Sequence, residues 1–110
     1  MTSYPRLLHT VLDTTRPRAL AEFYRELLGL RYRPGDEPPD HGGPDEPDWL
    51  VLTDDEGNRK LAFQLVEVLP RTTWPGADVP MQLHLDLTVP DEPLYVFADL
   101  AGHPFCIFVA

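Results

Sequence analysis

The chain has 110 residues, of which 43% are hydrophobic and 25% charged, and these values are typical of a globular protein. Its 18 acidic and 9 basic side chains give a formal net charge of −9. Nucleic-acid binding relies on Lys and Arg that neutralise phosphates, and anionic membrane surfaces attract basic segments. The charge therefore excludes nucleic acid and membrane surfaces as partners, and the length favours a single domain over residues 1–110.

Cysteine usage and the first residues of the chain indicate its compartment. The one cysteine, Cys106, cannot form an internal disulfide, and the N-terminal residues lack the apolar segment of a signal peptide. No apolar run is long enough to cross a membrane. We therefore expect a cytoplasmic protein.

The first predicted elements are a strand and an amphipathic helix. Residues 6–13 are largely apolar on both alternating faces, which is typical of a strand covered on both sides. Thr14 and Thr15 supply capping hydroxyls, Pro17 suits the first helical turn, and Gly29 suits the position that ends a helix. Between them, apolar residues recur along one helix face: Leu20, Phe23, Tyr24, Leu27 and Leu28.

The rest of the chain is predicted to form strands joined by turns and two proline-rich segments. Residues 34–47 form an acidic loop, which we expect to be solvated and mobile, with a lid over a cleft as the alternative. Residues 69–80 form a connector that contains three prolines. The predicted strands comprise residues 30–33, 49–53, 60–68, 81–89, 94–98 and 104–109.

The two halves of the chain repeat one another. His9 stands at the head of the first half in Leu-Leu-His, and His84 at the head of the second in Gln-Leu-His. An Asp-x-x-Gly turn between two strands follows in each half, at residues 54–57 and 99–102. The second half is shorter, and the deficit beyond the acidic loop is the size of a helix and a short strand.

These residues resemble the glyoxalase/bleomycin-resistance/dioxygenase superfamily, also called vicinal oxygen chelate proteins. The aromatic pair Phe23-Tyr24 before Leu-Leu-Gly-Leu resembles its opening helix. Residues 82–89 (QLHLDLTV) and 99–106 (DLAGHPFC) resemble the second half of its glyoxalase-like branch. The resemblance covers nearly the whole chain and implies an α+β fold. Two paired βαβββ modules, at about residues 5–68 and 81–110, would form a sheet-lined cleft.

The resemblance also implies positions for a divalent metal. Metal-binding members place one ligand on the first strand and one near the last strand of each module, which correspond here to His9, Gln64, His84 and Cys106. Such residues are reasonable ligands for Ni²⁺, Zn²⁺ or Fe²⁺, which would act as a Lewis acid on vicinal oxygens of a substrate. Catalytic families usually have Glu where this chain has Cys106, and none of the four residues is a carboxylate. This departure favours binding over catalysis.

Each candidate residue also has a structural interpretation. His9 could bond within the core, Asp86 could orient His84, contact a ligand or be solvated, and Cys106 could be a small buried side chain. Aromatic residues on strands fill cores or line pockets. The predicted ligand contacts are Trp49, Phe63, Asp86 and Tyr95.

The second module has no counterpart of the first module's helix. One face of its first strand, with Leu83, Leu85 and Leu87, would then lie uncovered, at a cost of roughly 1.5–3 kcal/mol for each large side chain. A homodimer partner, the connector at residues 69–80 or a segment missing from this sequence could cover it, and the first and third are favoured.

Three functions remain open from the sequence. The favoured one is binding of a small organic molecule without turnover. The alternatives are a metal-dependent lyase or dioxygenase and a non-catalytic dimeric assembly protein.

Overall fold

The computed structural model describes residues 3–89, 95–99 and 101–109. The chain divides into two compact units, Met1–Val66 and Glu67–Ala110, and each has a sheet of its own. Within the described residues, no helix has the length and apolar character that crossing a membrane requires. One helix and two small sheets confirm the predicted α+β class.

The first unit has a βαβββ order. Its elements are β1 (Thr10–Thr14), α1 (Pro17–Leu28), β2 (Arg31–Tyr32), β3 (Trp49–Thr53) and β4 (Arg59–Leu65). The strands lie side by side in the order β1-β4-β3-β2, with β1 parallel to β4 and the other pairs antiparallel. This is the arrangement that the resemblance implied for the first module.

Helix α1 covers one face of this sheet. Leu20 and Tyr24 are fully buried, and the Tyr24 ring stacks on the Phe63 ring with centroids 6.0 Å apart. The helix begins at Pro17 and ends at Gly29, which takes a left-handed φ of 65° as predicted. No side chain caps the helix start; the Thr14 hydroxyl instead accepts a hydrogen bond from the Arg16 amide, at 3.0 Å.

The second unit contains three strands, β5 (Leu85–Val89), β6 (Tyr95–Ala98) and β7 (Pro104–Val109). Their order is β5-β7-β6, with β5 parallel and β6 antiparallel to β7. This sheet matches the β1-β4-β3 part of the first unit. Only five residues separate β5 from β6, and the described residues of this unit contain no helix, as the shorter second half predicted.

The two Asp-x-x-Gly turns have the same hydrogen bonds, which supports the internal repeat. One Oδ oxygen of Asp54 accepts hydrogen bonds from the amides two and four residues later, both at 2.9 Å. The corresponding oxygen of Asp99 accepts the same two bonds, at 2.8 and 3.0 Å. In each turn the Gly amide also donates to the aspartate carbonyl.

Several strands are shorter than predicted. The strand predicted at residues 6–13 begins only at Thr10, and Leu7 and Leu8 are 90% and 59% exposed. β1 pairs with β4 only from Leu61 onward, because the register shift at the start of β4, near Arg59 and Lys60, interrupts the regular ladder. Similarly, the strand predicted at residues 81–89 begins at Leu85, and the one predicted at residues 60–68 ends at Leu65.

The leucines predicted to lie uncovered in the second unit are half-buried. Leu83, Leu85 and Leu87 alternate with exposed polar residues, as the pattern predicted. The connector packs against this unit at Gly102, where a Cβ atom would lie 2.8 Å from the Arg71 Cγ atom. The connector therefore contributes to the packing of the second unit.

Candidate functional site

The sheet of the first unit has a helix-free face, opposite the face that α1 covers. Neighbouring strand residues alternate between faces, and Leu50 and Phe63 lie under the helix. Alternation therefore assigns the intervening residues to the other face: Val11, Asp13, Trp49, Val51, Thr53, Lys60, Ala62 and Gln64. A register shift between Leu52 and Thr53 makes Arg59 rather than Lys60 the partner of Thr53, and at this β-bulge Arg59 shares the face of Thr53. Val51 and Ala62 are fully buried and form its apolar centre.

His9 lies against Trp49 on the helix-free face. The two ring centroids are 5.8 Å apart, with the ring planes at 54°. The Nδ1 atom of His9 is buried and accepts or donates no hydrogen bond within the part of the chain that the structure describes. Leaving a buried polar atom unpaired costs about 1–3 kcal/mol, so a ligand that bonds to this nitrogen would recover that cost.

Two guanidinium groups surround His9 with positive charge. The Arg33 amide donates to the Val51 carbonyl, which places Arg33 beside Val51, and Arg59 pairs in register with Thr53. Burial, followed by the charges of Arg59 and Arg33, lowers the pKa of His9 below its ordinary value. The imidazole is therefore neutral at pH 7.

The other candidates in the first unit lie on opposite faces. Gln64 is exposed on the helix-free face, in the same register row as Trp49. Phe63 is fully buried on the opposite face, in the row of the buried Leu12 and Leu50, where its ring stacks on Tyr24 of α1. Trp49 and Gln64 thus share a face with His9, whereas Phe63 belongs to the core.

In the second unit, His84 and Asp86 form the pair that their spacing on one strand predicted. The His84 Nε2 atom lies 3.2 Å from an Asp86 carboxylate oxygen, and both side chains are exposed. Asp86 pairs in register with Cys106, and Tyr95 pairs with Ile107 in the next row. The side chains of Tyr95 and Cys106 lie outside the described residues.

The surroundings of His9 do not fit a metal ion. The charged groups beside it are guanidiniums, which have no lone pair to donate and repel a cation. Among the described residues, no group of three His, Cys, Asp or Glu side chains could hold a metal. The two candidate ligands near the last strands, Gln64 and Cys106, also occupy different register positions in their units. Gln64 pairs with Asp13, four residues after His9, whereas Cys106 pairs with Asp86, two residues after His84.

A second feature of the first unit ties the acidic loop to α1. The Arg18 guanidinium donates to both Asp45 carboxylate oxygens, at 2.8 and 3.1 Å, and to the Asp36 carbonyl at 2.6 Å. It also lies 4.9 Å from the centroid of the Tyr32 ring. The sequence predicts a solvated, mobile loop and does not predict this connection. The opposite charges of the loop and of the helix start are the sequence feature that could have indicated it.

The Tyr32 hydroxyl extends this network to the outer face of α1. It donates to Glu22 at 2.7 Å, and Glu22 also accepts from Arg25. The bond from Arg25 lowers the pKa of Glu22, and burial together with the bond to Glu22 raises the pKa of Tyr32 to about 12. A cavity of about 610 Å³ opens at the helix start between Arg16 and Asp45.

A βαβββ unit followed by a second unit of the same strand pattern defines a glyoxalase-like class of protein. The sequence profile described as "Glyoxalase-like domain" matches residues 9–94. The chain belongs to this family. A search of curated proteins finds no match.

Solved structures with the same fold include binding proteins and a possible enzyme. A possible glyoxalase from Bacillus cereus has a TM-score of 0.57 at 15% identity, over 93% of this chain and 96% of that chain. The bleomycin-binding protein of Streptomyces verticillus, complexed with copper(II)-bleomycin, has a TM-score of 0.54 at 13% identity, over 100% and 99%. An antibiotic-binding protein from another Streptomyces has 0.53 at 15%, over 100% of both chains. At these identities the likeness concerns the fold alone.

Proposed function

We propose that this protein binds a small organic molecule on the helix-free face of its first unit and does not convert it. The observation that carries the proposal is the buried Nδ1 atom of His9, which lies beside the Trp49 ring and has no hydrogen-bond partner among the described residues. Ligand pockets combine aromatic surface with a few polar groups, and the half-buried rings of Trp49 and His9 offer this combination. The fold likeness to two antibiotic-binding proteins supports the same class of function.

Tryptophan fluorescence tests this proposal. The chain has two tryptophans, so a Trp74→Phe background leaves Trp49 as the sole reporter. We expect members of a library of aromatic compounds to change its emission saturably and to be recovered unchanged. His9→Ala should weaken binding, whereas His41→Ala, in the exposed loop, should not. A library without one saturable ligand, or conversion of the bound compound, would contradict the proposal.

A metal-dependent lyase or dioxygenase is the second candidate function. The free nitrogen of His9 favours it, since a neutral imidazole is a good ligand for Ni²⁺, Zn²⁺ or Fe²⁺. It requires His9, Gln64, His84 and Cys106 to meet at one ion, against the charge of the nearby guanidiniums. Metal analysis of protein purified without chelators decides it. A stoichiometric ion that is lost in both His9→Ala and His84→Ala would establish this candidate.

We also propose that the protein is a cytoplasmic homodimer, which keeps the assembly role as the third candidate. Exposed apolar side chains at Leu7, Leu8, Leu27 and Leu28 support an association surface, and a lone cysteine suits a reducing compartment. Light scattering at micromolar concentration should give the mass of two chains. The mass of one chain would exclude the dimer.

A further inference from the structure

We infer that the ligand of the helix-free face is a small planar organic anion, whose negative group binds Arg59 while its ring lies against Trp49 and His9. This inference rests on the proposed function and adds the chemical class of the ligand.

Arg59 is the arginine of this face that has no counter-ion among the described residues. Arg31 pairs with Asp55 at 3.2 Å and Arg33 with Asp36 at 3.1 Å, whereas the side chain of Arg59 has no hydrogen bond or ion pair to any residue that the structure describes. Acidic residues outnumber basic ones two to one, so a shortage of carboxylates does not explain this. A half-buried guanidinium with free donors is suited to bind a carboxylate, sulfonate or phosphate.

The acidic groups of the same face do not compete for Arg59. The Asp36 carboxylate accepts bonds from both Arg33 and the Val51 amide. Asp13 has a partner of its own and lies in the row of Trp49, at the other end of the face from Arg59. An incoming anion would therefore meet a positive field around His9 and Arg59.

The spacing of these groups limits the size of the ligand. Trp49 and Thr53, which is the register partner of Arg59, are four residues apart on β3, or about 13 Å at the rise of a strand. Val51 and Ala62 lie between them in the register but are fully buried, so the ligand contacts the half-buried rings of Trp49 and His9. A one- or two-ring aromatic acid can span this distance once the side chains reach toward it. Its polar group can also bond to the unpaired His9 nitrogen.

Three probes of similar size and different charge test whether the site prefers an anion. The full-length Trp74→Phe protein is titrated with naphthalene-2-carboxylate, with its carboxamide and with a naphthylmethylammonium salt, and Trp49 emission is followed. A charge-assisted bond makes the carboxylate bind roughly tenfold or more tightly than the amide, and the cation should bind least. Added salt should weaken the carboxylate alone.

Substitutions locate the anion. In Arg59→Gln, the affinity for the carboxylate probe should fall to the affinity for the carboxamide probe. Arg59→Lys keeps the positive charge, so it should retain part of the preference for the carboxylate. Arg16→Gln makes the same change in net charge at an exposed position beside the cavity at the helix start, and should leave the preference intact.

Each contrary outcome has a distinct meaning. Equal binding of carboxylate and amide at Trp49 overturns the inference and leaves the proposed function standing. Loss of the preference in Arg16→Gln but not in Arg59→Gln overturns it by placing the anion at the helix start. The inference is also overturned if none of the three probes changes the Trp49 emission. The proposed function fails if the wider compound library gives no saturable response or if a bound compound is converted.

Discussion

His9 and Arg59 are the residues on which the proposed ligand site depends. One offers a buried nitrogen without a hydrogen bond, and the other a guanidinium without a counter-ion among the described residues. Each is costly alone, because burial penalises both an unpaired polar atom and an uncompensated charge. Their presence on one face, beside an aromatic ring, explains why we assign this face to a ligand.

The titration of His9 tests this arrangement. Arg59→Gln removes one of the two charges that lower the His9 pKa, so we expect that pKa to rise toward its ordinary value. Arg33 with its partner Asp36, Arg31 with Asp55, Lys60 with Asp54, and Asp13 are other charged groups of this face and are left in place. The shift of the His9 ring protons with pH, measured by NMR, reports the change. Arg16→Gln is the control, and an identical His9 titration in Arg59→Gln would contradict the assignment.

The elements with the clearest structural logic are the two Asp-x-x-Gly turns. Each unit has one such aspartate. Its carboxylate accepts hydrogen bonds from two backbone amides of the turn, which no neighbouring strand pairs. Against the raising effect of burial, the bonds from Asn58 and Glu56 lower the pKa of Asp54. The same geometry in both units is what a duplicated strand-turn-strand element requires.

Removal of these carboxylates should have unequal effects. Asp99 is buried, so Asp99→Ala leaves two amides unpaired and should cost about 1–3 kcal/mol of unfolding free energy. Asp54→Ala should cost less, because water reaches its turn, and Asp55→Ala should be nearly neutral as the matched surface control. Urea denaturation measures all three. A larger loss for Asp54→Ala than for Asp99→Ala would contradict this account.

The hydrogen bonds of Arg18 join α1 to the acidic loop and give a second prediction about these elements. Arg18→Gln removes the bonds to Asp45 and to the Asp36 carbonyl, so we expect amide exchange in residues 36–45 to become several-fold faster. Arg16→Gln, two residues earlier, should leave that exchange unchanged. Hydrogen exchange read by mass spectrometry distinguishes the two variants. Equal loop exchange in Arg18→Gln and the unaltered protein would mean that the loop does not depend on these hydrogen bonds.

At the scale of the whole molecule, the two units repeat one strand pattern, and the described residues of the second unit contain no helix. The first unit has the complete βαβββ order, and the described strands of the second repeat only its β1-β4-β3 part. The large acidic excess acts at this scale too, since a net charge of −9 favours solubility and repels other anions at long range. A ligand anion therefore depends on the local positive charge of the helix-free face.

Stability should fall in two stages as the solution is acidified. The His9 pKa is lowered by folding, so the unfolded chain takes up that proton first, and stability is lost as the pH falls below about 6.5. Glu22 and Asp54 also have lowered pKa values, and their contribution is lost at more acidic pH. His9→Gln should abolish the first stage, whereas His41→Gln should not. Thermal unfolding between pH 7 and pH 5 provides the measurement, and an unchanged first stage in His9→Gln would refute the role of His9.

The sequence by itself determined the local elements and the family. The helix from Pro17 to Gly29, the strands Trp49–Thr53 and Pro104–Val109, and both turns follow from periodicity, proline and glycine, which act over a few residues. The aromatic pair and the Leu-Leu-Gly-Leu segment of that helix were enough to indicate the glyoxalase-like resemblance.

Only the tertiary structure decided where strands begin and which side chains share a face with His9. Thr10 begins β1 because regular pairing with β4 starts at Leu61, after the register shift of that strand, and Phe63 is core because α1 lies on its side of the sheet. Trp49 and Arg59 are brought to His9 by the order β1-β4-β3, which joins segments some 40 to 50 positions apart along the chain. Local patterns specify alternation along a strand, but they carry no information about which strand lies next to it or which face a helix will cover.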